Sequence, residues 1–181
     1  MNQMDLVREI IRHNSWATSR FIEHLQSLPL GTLGLTAEGT FGPIGATLAH
    51  LIRAEGAYVS HLRGETPHPR PLAADLVDIG AEARRLAQEW EHLLEAGIDP
   101  AAEVRTIRGT QTAGTILAQA INHGAEHRAH VCTVLGAHDL QPPALDAFAY
   151  SEAIRTRRGR ATNAHQRFRE LLKRRKTRTT T

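Results

Sequence analysis

Four stretches of the chain carry apolar residues at spacings of three, four and seven, which place those residues on one face of an α-helix. The stretches cover about residues 6–28, 43–63, 74–96 and 112–135. Proline or glycine follows each stretch and would end the helix there. At 1.5 Å per residue, each helix would be roughly 30–37 Å long. This pattern predicts an all-α four-helix bundle with additional C-terminal helical segments.

The segments outside these four helices carry weaker patterns. Residues 104–107 are expected to form a short extended piece, and residues 145–155 a shorter fifth helix that follows two prolines. Residues 161–176 are strongly basic, so they could form a helix or remain disordered. None of these segments resembles a second domain, and 181 residues suit one domain with appendages.

Charge divides the chain into two parts. Residues 1–154 hold 11 Lys and Arg against 18 Asp and Glu, a net charge of −7, whereas residues 155–181 hold 11 against 1, a net charge of +10. We therefore predict a bundle domain over residues 1–154 and a basic tail over residues 155–181. The favoured role of the tail is a solubilising or partner-docking extension. The alternative is electrostatic, salt-sensitive nucleic-acid binding without sequence preference.

Several classes of protein are excluded by composition. No apolar run approaches the ~20 residues of a membrane span. The start, MNQMDLVREI, has neither the basic nor the apolar region of a signal peptide, so we expect a cytoplasmic protein. A single cysteine, Cys132, can form neither an internal disulfide nor a Cys-rich zinc site. Any metal site must therefore rest on other ligands.

Histidine is the unusual component, with 11 residues in the chain. His123 and His127 stand four positions apart on the fourth predicted helix, in register with its apolar residues Ala120 and Val131. Imidazoles at this spacing share a helix face and can reach one ion of zinc, nickel, copper or iron. Two hydrogen-bonded core histidines would show the same spacing, so both interpretations stay open at this point.

A third histidine, His50, lies on the second predicted helix. Small side chains flank it at Thr47, Ala54 and Ala57, which leaves room for a cavity. An antiparallel or crossover arrangement of the second and fourth helices would bring His50 level with the pair. Three histidines would then leave a fourth coordination position open, which is typical of a catalytic metal rather than a structural one.

The order and spacing of these motifs resemble the DinB/YfiT-like metal-binding four-helix-bundle family. The resemblance is carried by GPIGATLAHLIRAEGAYVSHLRG, by AQAINHGAEHRAHVCTVLG, by HNSWATSRFIEHLQSLP and by PPALDAFAYSEA, and it spans roughly residues 3–153. It implies that His50, His123 and His127 bind a divalent metal completed by water, and that the protein is a homodimer. Some members of the family are metal-dependent thiol transferases or isomerases, so the resemblance does not specify the reaction.

Two other histidines lie near the same helix faces. His130 follows His127 by three residues, and we expect it to line the cavity or support a ligand rather than to bind metal. His61 lies ~16 Å along the helix from His50, which is too far to share an ion. We therefore assign His61 a structural role.

The remaining candidates receive ordinary roles. Glu126 and Arg128 flank His127 and suit a surface or interhelical ion pair, with Glu126 a weak candidate for a general base. No other catalytic residue is assigned. Cys132 points about 140° away from the ligand face and suits a small buried hydrophobe. The aromatic residues expected in core or interface packing, rather than in a substrate platform, are Trp16, Trp90 and Tyr58.

The function predicted from these features is that of a divalent-metal-binding protein, with zinc or nickel favoured and manganese or iron open. We expect a small-molecule enzyme of the thiol transferase or hydrolase type, in which the metal stabilises a deprotonated substrate or thiol. The alternatives are a non-catalytic, metal-stabilised homodimer and a nucleic-acid binder acting through the tail. No membrane partner is expected.

Overall fold

The structure, a computed structural model, describes residues 3–29, 31–67 and 75–160. Its long helices confirm the all-α prediction, and their ends lie within three residues of the predicted ones. A short 3₁₀ helix, Thr32–Gly34, lies between the first two. The elements are α1 (Gln3–Gln26), α2 (Ile44–Leu62), α3 (Leu76–Ala96), β1 (Glu103–Thr106), β2 (Gly109–Thr112) and α4 (Ala113–Ala137).

Local signals explain where the helices begin and end. The carboxylate of Asp75 accepts the amide N–H of Val77 at 2.6 Å and caps the start of α3. The hydroxyl of Thr112 accepts the amide N–H of Thr115 at 3.2 Å and caps α4 in the same way. Gly97 follows α3 with a φ of 86°, a conformation that favours glycine.

Contacts between the helices define the topology of the bundle. Arg12 near the start of α1 binds Glu91 near the end of α3, so these helices are antiparallel. Tyr58 near the end of α2 meets Gln119 near the start of α4, so these two are antiparallel as well. Arg128 of α4 reaches Thr18 of α1, and these two helices run parallel. The resulting order is up, down, down, up, with α2 and α3 parallel.

The core of the bundle is built from the apolar faces of all four helices, as their periodicity predicts. The apolar face of α1 is not buried at its first position, since Leu6, which begins the first predicted stretch, is 49% exposed. The helix register explains this, because Arg8 already reaches the carbonyl of Leu94 close to the end of α3, so Leu6 lies beyond the partner helix. Buried residues of the core include Ile11, Phe21, Leu48, Ile52, Leu86, Trp90, Val131 and Leu135.

A β-hairpin joins α3 to α4. Its first strand confirms the extended piece expected at residues 104–107, whereas the second strand was missed. The missed segment, GTQT, is polar and becomes a strand only by pairing with β1, with Thr106 opposite Gly109. Under the hairpin, Val104, Ala113 and Ile116 form a small apolar cluster against which Tyr58 packs.

The chain divides into two compact units, Met1–Pro143 and Ala144–Thr181. In the second unit, residues 147–160 form helix α5, and the Asp146 carboxylate accepts the amide N–H groups of Phe148 and Ala149 at its start. The fifth helix is therefore present, and it continues past residue 155 to residue 160. The helix predicted at 161–176 lies outside the described residues. The boundary between residues 154 and 155 remains a prediction based on charge.

Among the described residues, no helix combines the length and the apolar character that crossing a bilayer requires.

Candidate metal centre

The antiparallel contact between α2 and α4 brings three histidines together. His123 Nε2 lies 3.1 Å from His50 Nε2 and 2.9 Å from His127 Nε2. One ring nitrogen from each residue lies within 4.8 Å of the others, and this is the group of potential metal ligands found among the described residues. We call these three residues the histidine cluster. Their proximity is what the sequence predicted for an antiparallel arrangement.

The histidine cluster extends from the protein surface into the bundle. His50 is exposed, His123 is half-buried and His127 is buried, with 1% of its surface accessible. Burial and, to a smaller extent, the neighbouring His127 and His50 together lower the pKa of His123 to about 4. Burial also lowers the pKa of His127. Both imidazoles are therefore neutral at pH 7, which is the form that binds a metal ion.

The donor set fits a divalent cation. A ring nitrogen carries either one hydrogen or one lone pair, so His123 Nε2 can satisfy only one of its two contacts by a hydrogen bond. A cation at the centre would satisfy all three nitrogens. Two nitrogens that bind the same tetrahedral ion, each at ~2.0–2.1 Å from it, lie about 3.3 Å from each other. The separations of 2.9 and 3.1 Å are close to that value.

The opposite ring nitrogens of the cluster face protein. Nδ1 of His123 and Nδ1 of His127 are buried, and no hydrogen-bond partner reaches either atom within the described part of the chain. Metal-bound histidines usually donate this N–H to an acceptor, which orients the ring. Here the helices and the surrounding rings are left to orient the imidazoles.

Two aromatic rings border the histidine cluster, and they contact different histidines. The Phe41 ring lies 4.4 Å from the His127 ring and 6.2 Å from the His50 ring, measured between centroids. The Tyr58 ring meets the His123 ring edge-on at 5.8 Å. Phe41 was missed at the sequence level because it lies in a loop. The glycines on either side of it, within GTFG, were the only local signal.

The other histidines do not join the cluster. His130 lies on α4 with its ring 6.2 Å from His127 and 5.2 Å from Phe41, and it is absent from the group of potential ligands among the described residues. It is not among the described residues that line the cavity beside His50, so its expected role as a cavity-lining or supporting residue stays a prediction. His61 is half-buried on α2, outside the same group.

Two further candidates on α4 lie near the cluster. Glu126 is exposed, and its charge raises the pKa of His127 against the effect of burial. Cys132 is half-buried, and burial raises the pKa of its thiol. A thiol with a raised pKa is a weaker nucleophile at pH 7.

A cavity of about 390 Å³ lies beside His50, between α2 and α3. Ala54 and Ala57 line it, as expected from the small side chains around His50, whereas Thr47 is buried instead. Guanidinium and carboxylate groups on its walls pair with each other: Arg85 with Glu82 and Glu89, and Arg63 with Glu89. These pairs neutralise most of the charge that faces the cavity.

A second polar group, which we call the core polar cluster, lies inside the bundle. It joins Glu55 of α2, Trp90 of α3, Arg128 of α4, and Thr18 and Asn14 of α1, all of them buried. The Trp90 indole N–H donates to the Glu55 carboxylate at 3.0 Å, and the Arg128 guanidinium donates to the Thr18 hydroxyl at 2.9 Å.

Charge and burial oppose each other in the core polar cluster. Burial raises the pKa of Glu55, while the Trp90 hydrogen bond and the charge of Arg128 lower it. Burial lowers the pKa of Arg128 to about 10, and the charge of Glu55 opposes this. Arg128 was expected in a surface or interhelical ion pair; it is buried, and its guanidinium donates to the Thr18 hydroxyl of α1, while Glu55 acts on it through charge. Glu55 was missed, although it falls in register with Leu48, Leu51 and Ile52 on the apolar face of α2.

The three aromatic residues that were expected to pack in the core or at an interface differ in burial and in the residues that they contact. Trp90 is buried in the core. Trp16 is half-buried, with its ring stacked on that of His13 at 6.0 Å. Tyr58 packs under the hairpin and also contacts His123, so it belongs both to the core and to the border of the histidine cluster.

The similarities of this chain to known proteins include a family model, a solved structure and a curated relative. The family model described as the DinB family matches residues 1–160. A crystal structure of a DinB-like protein from Bacillus cereus ATCC 10987 superposes with a TM-score of 0.59 at 14% identity, and covers 73% of this chain and 90% of that one. A (2S)-methylsuccinyl-CoA dehydrogenase from Cereibacter sphaeroides is 30% identical over 93 residues. That match covers 51% of this chain and only 16% of the dehydrogenase.

Proposed function

This chain belongs to the DinB family, and on that premise we propose that it binds a divalent metal ion through His50, His123 and His127. The observation that carries the proposal is the convergence of three ring nitrogens within 4.8 Å. Three neutral imidazoles favour zinc or nickel, with manganese and iron as the alternatives. Three protein ligands leave a coordination position for water or a substrate.

We further propose that the protein is a metal-dependent enzyme acting on a small molecule, of the thiol transferase or hydrolase type. A bound divalent ion lowers the pKa of a coordinated thiol or water and so supplies a nucleophile at neutral pH. The three neutral imidazoles add no negative charge and therefore favour an anionic ligand. Glu126, exposed next to His127 in the sequence, is the nearest candidate for a general base.

The environment of Cys132 supports a mechanism without a protein nucleophile. Its thiol is half-buried and its pKa is raised by burial, which disfavours the reactive thiolate. The expectations of a homodimer and of a cytoplasmic location belong to the same proposal. Nucleic-acid binding through the basic tail stays a disfavoured alternative.

Metal analysis tests the binding proposal directly. Untagged protein should contain or take up about one divalent ion per chain, and His123→Ala should abolish this. The matched control is His92→Ala, which removes an exposed imidazole from α3, a helix that contributes nothing to the cluster. Failure of the wild-type protein to take up zinc, nickel, manganese or iron would overturn the proposal.

Metal removal separates an enzyme from a metal-stabilised scaffold. All four helices contribute large buried side chains to the core, so we expect the bundle to remain folded without metal. Chelation should abolish turnover of thiol or ester substrates while far-ultraviolet circular dichroism is retained. Unfolding of the bundle on chelation would instead favour the non-catalytic, metal-stabilised protein.

A further inference from the structure

Phe41 is an apolar side chain in an unusual place. It is 58% exposed, yet its ring contacts His50, His127 and His130. An aromatic ring left in water at this level loses much of the free energy that its burial would contribute. Because it contacts two of the three histidines in the cluster, this partly exposed ring adjoins the candidate metal centre.

The loop that carries Phe41 is held in place. The amide N–H of Ile44 donates to the carbonyl of Leu35 at 3.1 Å, which closes the loop at the start of α2. The Thr40 hydroxyl donates to the carbonyl of Ala37 at 2.7 Å. His138 Nε2, at the end of α4, lies 2.9 Å from the carbonyl of Thr36 and ties the loop to that helix. Phe41 is therefore a positioned side chain.

Tyr58 is the second aromatic residue against the cluster. Its ring contacts His123, and its hydroxyl lies 3.5 Å from the side-chain amide nitrogen of Gln119. All three histidines of the cluster are thus in contact with an exposed phenylalanine or a half-buried tyrosine. Ring faces at such a border favour flat, apolar groups through stacked or edge-on contacts.

We propose that Phe41 and Tyr58 form an aromatic border that selects the substrate of the candidate metal centre. The ligand class is a small molecule with a metal-binding head, such as a thiolate, joined to an apolar and preferably aromatic body. The head reaches the ion held by the histidine cluster, and the body covers the exposed face of Phe41. This inference rests on the proposed function, since it places the body relative to a metal-bound head.

The test compares two thiols of similar acidity, benzyl mercaptan and 2-mercaptoethanol. Each is titrated into the full chain saturated with Co²⁺, and binding is followed by the thiolate-to-cobalt absorption. The wild-type protein should bind benzyl mercaptan more tightly. Phe41→Ala should reduce this preference about 3- to 10-fold, by weakening benzyl mercaptan alone, and Phe41→Leu should reduce it less because it keeps apolar bulk.

Val77→Ala is the matched control, since it truncates another exposed apolar side chain at the start of α3. It should leave the preference unchanged. Equal affinity of the wild-type protein for the two thiols overturns the inference, as does tighter binding of both thiols by Phe41→Ala, which would show that Phe41 covers the site rather than lining it. Absence of cobalt binding overturns the metal centre as well, so the two failures are distinguishable.

Discussion

Helices α2 and α4 each contribute residues to the histidine cluster and to the core polar cluster. The two clusters differ in how their polar atoms are paired by hydrogen bonds. The histidine cluster opens to solvent at His50, and His123 Nε2 contacts the Nε2 atoms of the other two histidines. In the core polar cluster, Glu55 and Arg128 are buried and each has a hydrogen-bond partner on a different helix. Asn14 Oδ1 is the exception, since it is buried without a partner in the described structure.

This difference indicates different roles. Buried charges cost free energy unless other groups in the protein compensate them, so a satisfied buried network specifies how the helices fit together. Polar atoms that converge without adequate partners instead suit a ligand from solvent. We therefore assign the core polar cluster to the fold and the histidine cluster to binding, and four predictions test that division.

The largest effect is expected from His127→Leu. Loss of one ligand should weaken metal binding on the order of 1000-fold. The free energy of unfolding without metal should stay unchanged or rise, because leucine replaces a buried imidazole whose Nδ1 has no partner in the described structure. Calorimetric metal titration and urea denaturation of the metal-free protein measure the two quantities. A clear loss of metal-free stability would contradict the assignment of this histidine to binding.

Arg128→Met should have the opposite profile. It leaves the Glu55 carboxylate buried without a nearby cation and should lower the free energy of unfolding by about 3 kcal/mol. Urea denaturation measures the loss. Adding Glu55→Gln should recover part of it, since the buried charge is then gone while an acceptor for Trp90 remains.

The control for Arg128→Met is Glu91→Gln, which breaks an ion pair with Arg12 at the surface of the bundle. Both side chains are more than a third exposed, so solvent screening should keep this cost below about 1 kcal/mol. A larger cost for Glu91→Gln than for Arg128→Met would reverse the comparison.

Gly124→Ala tests how closely α4 approaches α1. A methyl group at this position would collide with Asn14 Oδ1 and lie 2.9 Å from Arg128 Nη1. We expect a loss of about 1–3 kcal/mol from overpacking, seen as a lower urea midpoint. The matched control is Gly136→Ala on the same helix, where nothing lies within 4 Å and alanine should stabilise by up to ~1 kcal/mol. Equal effects of the two substitutions would show that the close approach does not constrain the bundle.

The smallest effect is a pH dependence from Glu55. Its pKa is raised in the folded state, so its contribution to stability is complete below the ordinary value of 4.5 and is lost as pH rises through the folded pKa. Glutamine does not titrate, so Glu55→Gln should gain stability relative to wild type as pH rises above 4.5. Urea denaturation across this range measures the difference.

Glu91→Gln should show the opposite sign. The hydrogen bond and charge of Arg12 lower the pKa of Glu91, so its contribution is present above 4.5 and is lost as pH falls through the folded pKa. If the stability difference from wild type changed with pH in the same direction for both variants, burial would not be what raises the pKa of Glu55.

Much of the bundle was predictable because helical periodicity is local. The ends of the four long helices follow from residues within one turn, such as Asp75, Thr112 and Gly97. Strand β2 was not predictable, because its polar segment depends on pairing with β1. Leu6 has the spacing of the apolar face of α1 and is nevertheless exposed, because the length of the partner helix decides whether a position at the end of a face is covered.

The candidate site was predictable in part. His123 and His127 could be paired from spacing, and His50 was added through the small residues around it and a family resemblance. Phe41 could not be found, since a loop carries no periodicity from which a contact could be read. Glu55 carried a usable signal, a carboxylate in register with apolar neighbours on α2, and Arg128 on α4 flanked a candidate ligand.

The sequence by itself determined four amphipathic helices and the shared face of His123 and His127, because 3.6 residues per turn place side chains four positions apart over one another. Tertiary structure decided the rest. His50 and His123 are separated by 73 positions, and they meet only because packing sets the axial register of α2 against α4. Packing of α2 against α3 likewise buries Glu55 beside Trp90, and packing of the loop before α2 sets Phe41 against the histidines. These contacts depend on the whole bundle rather than on any local pattern.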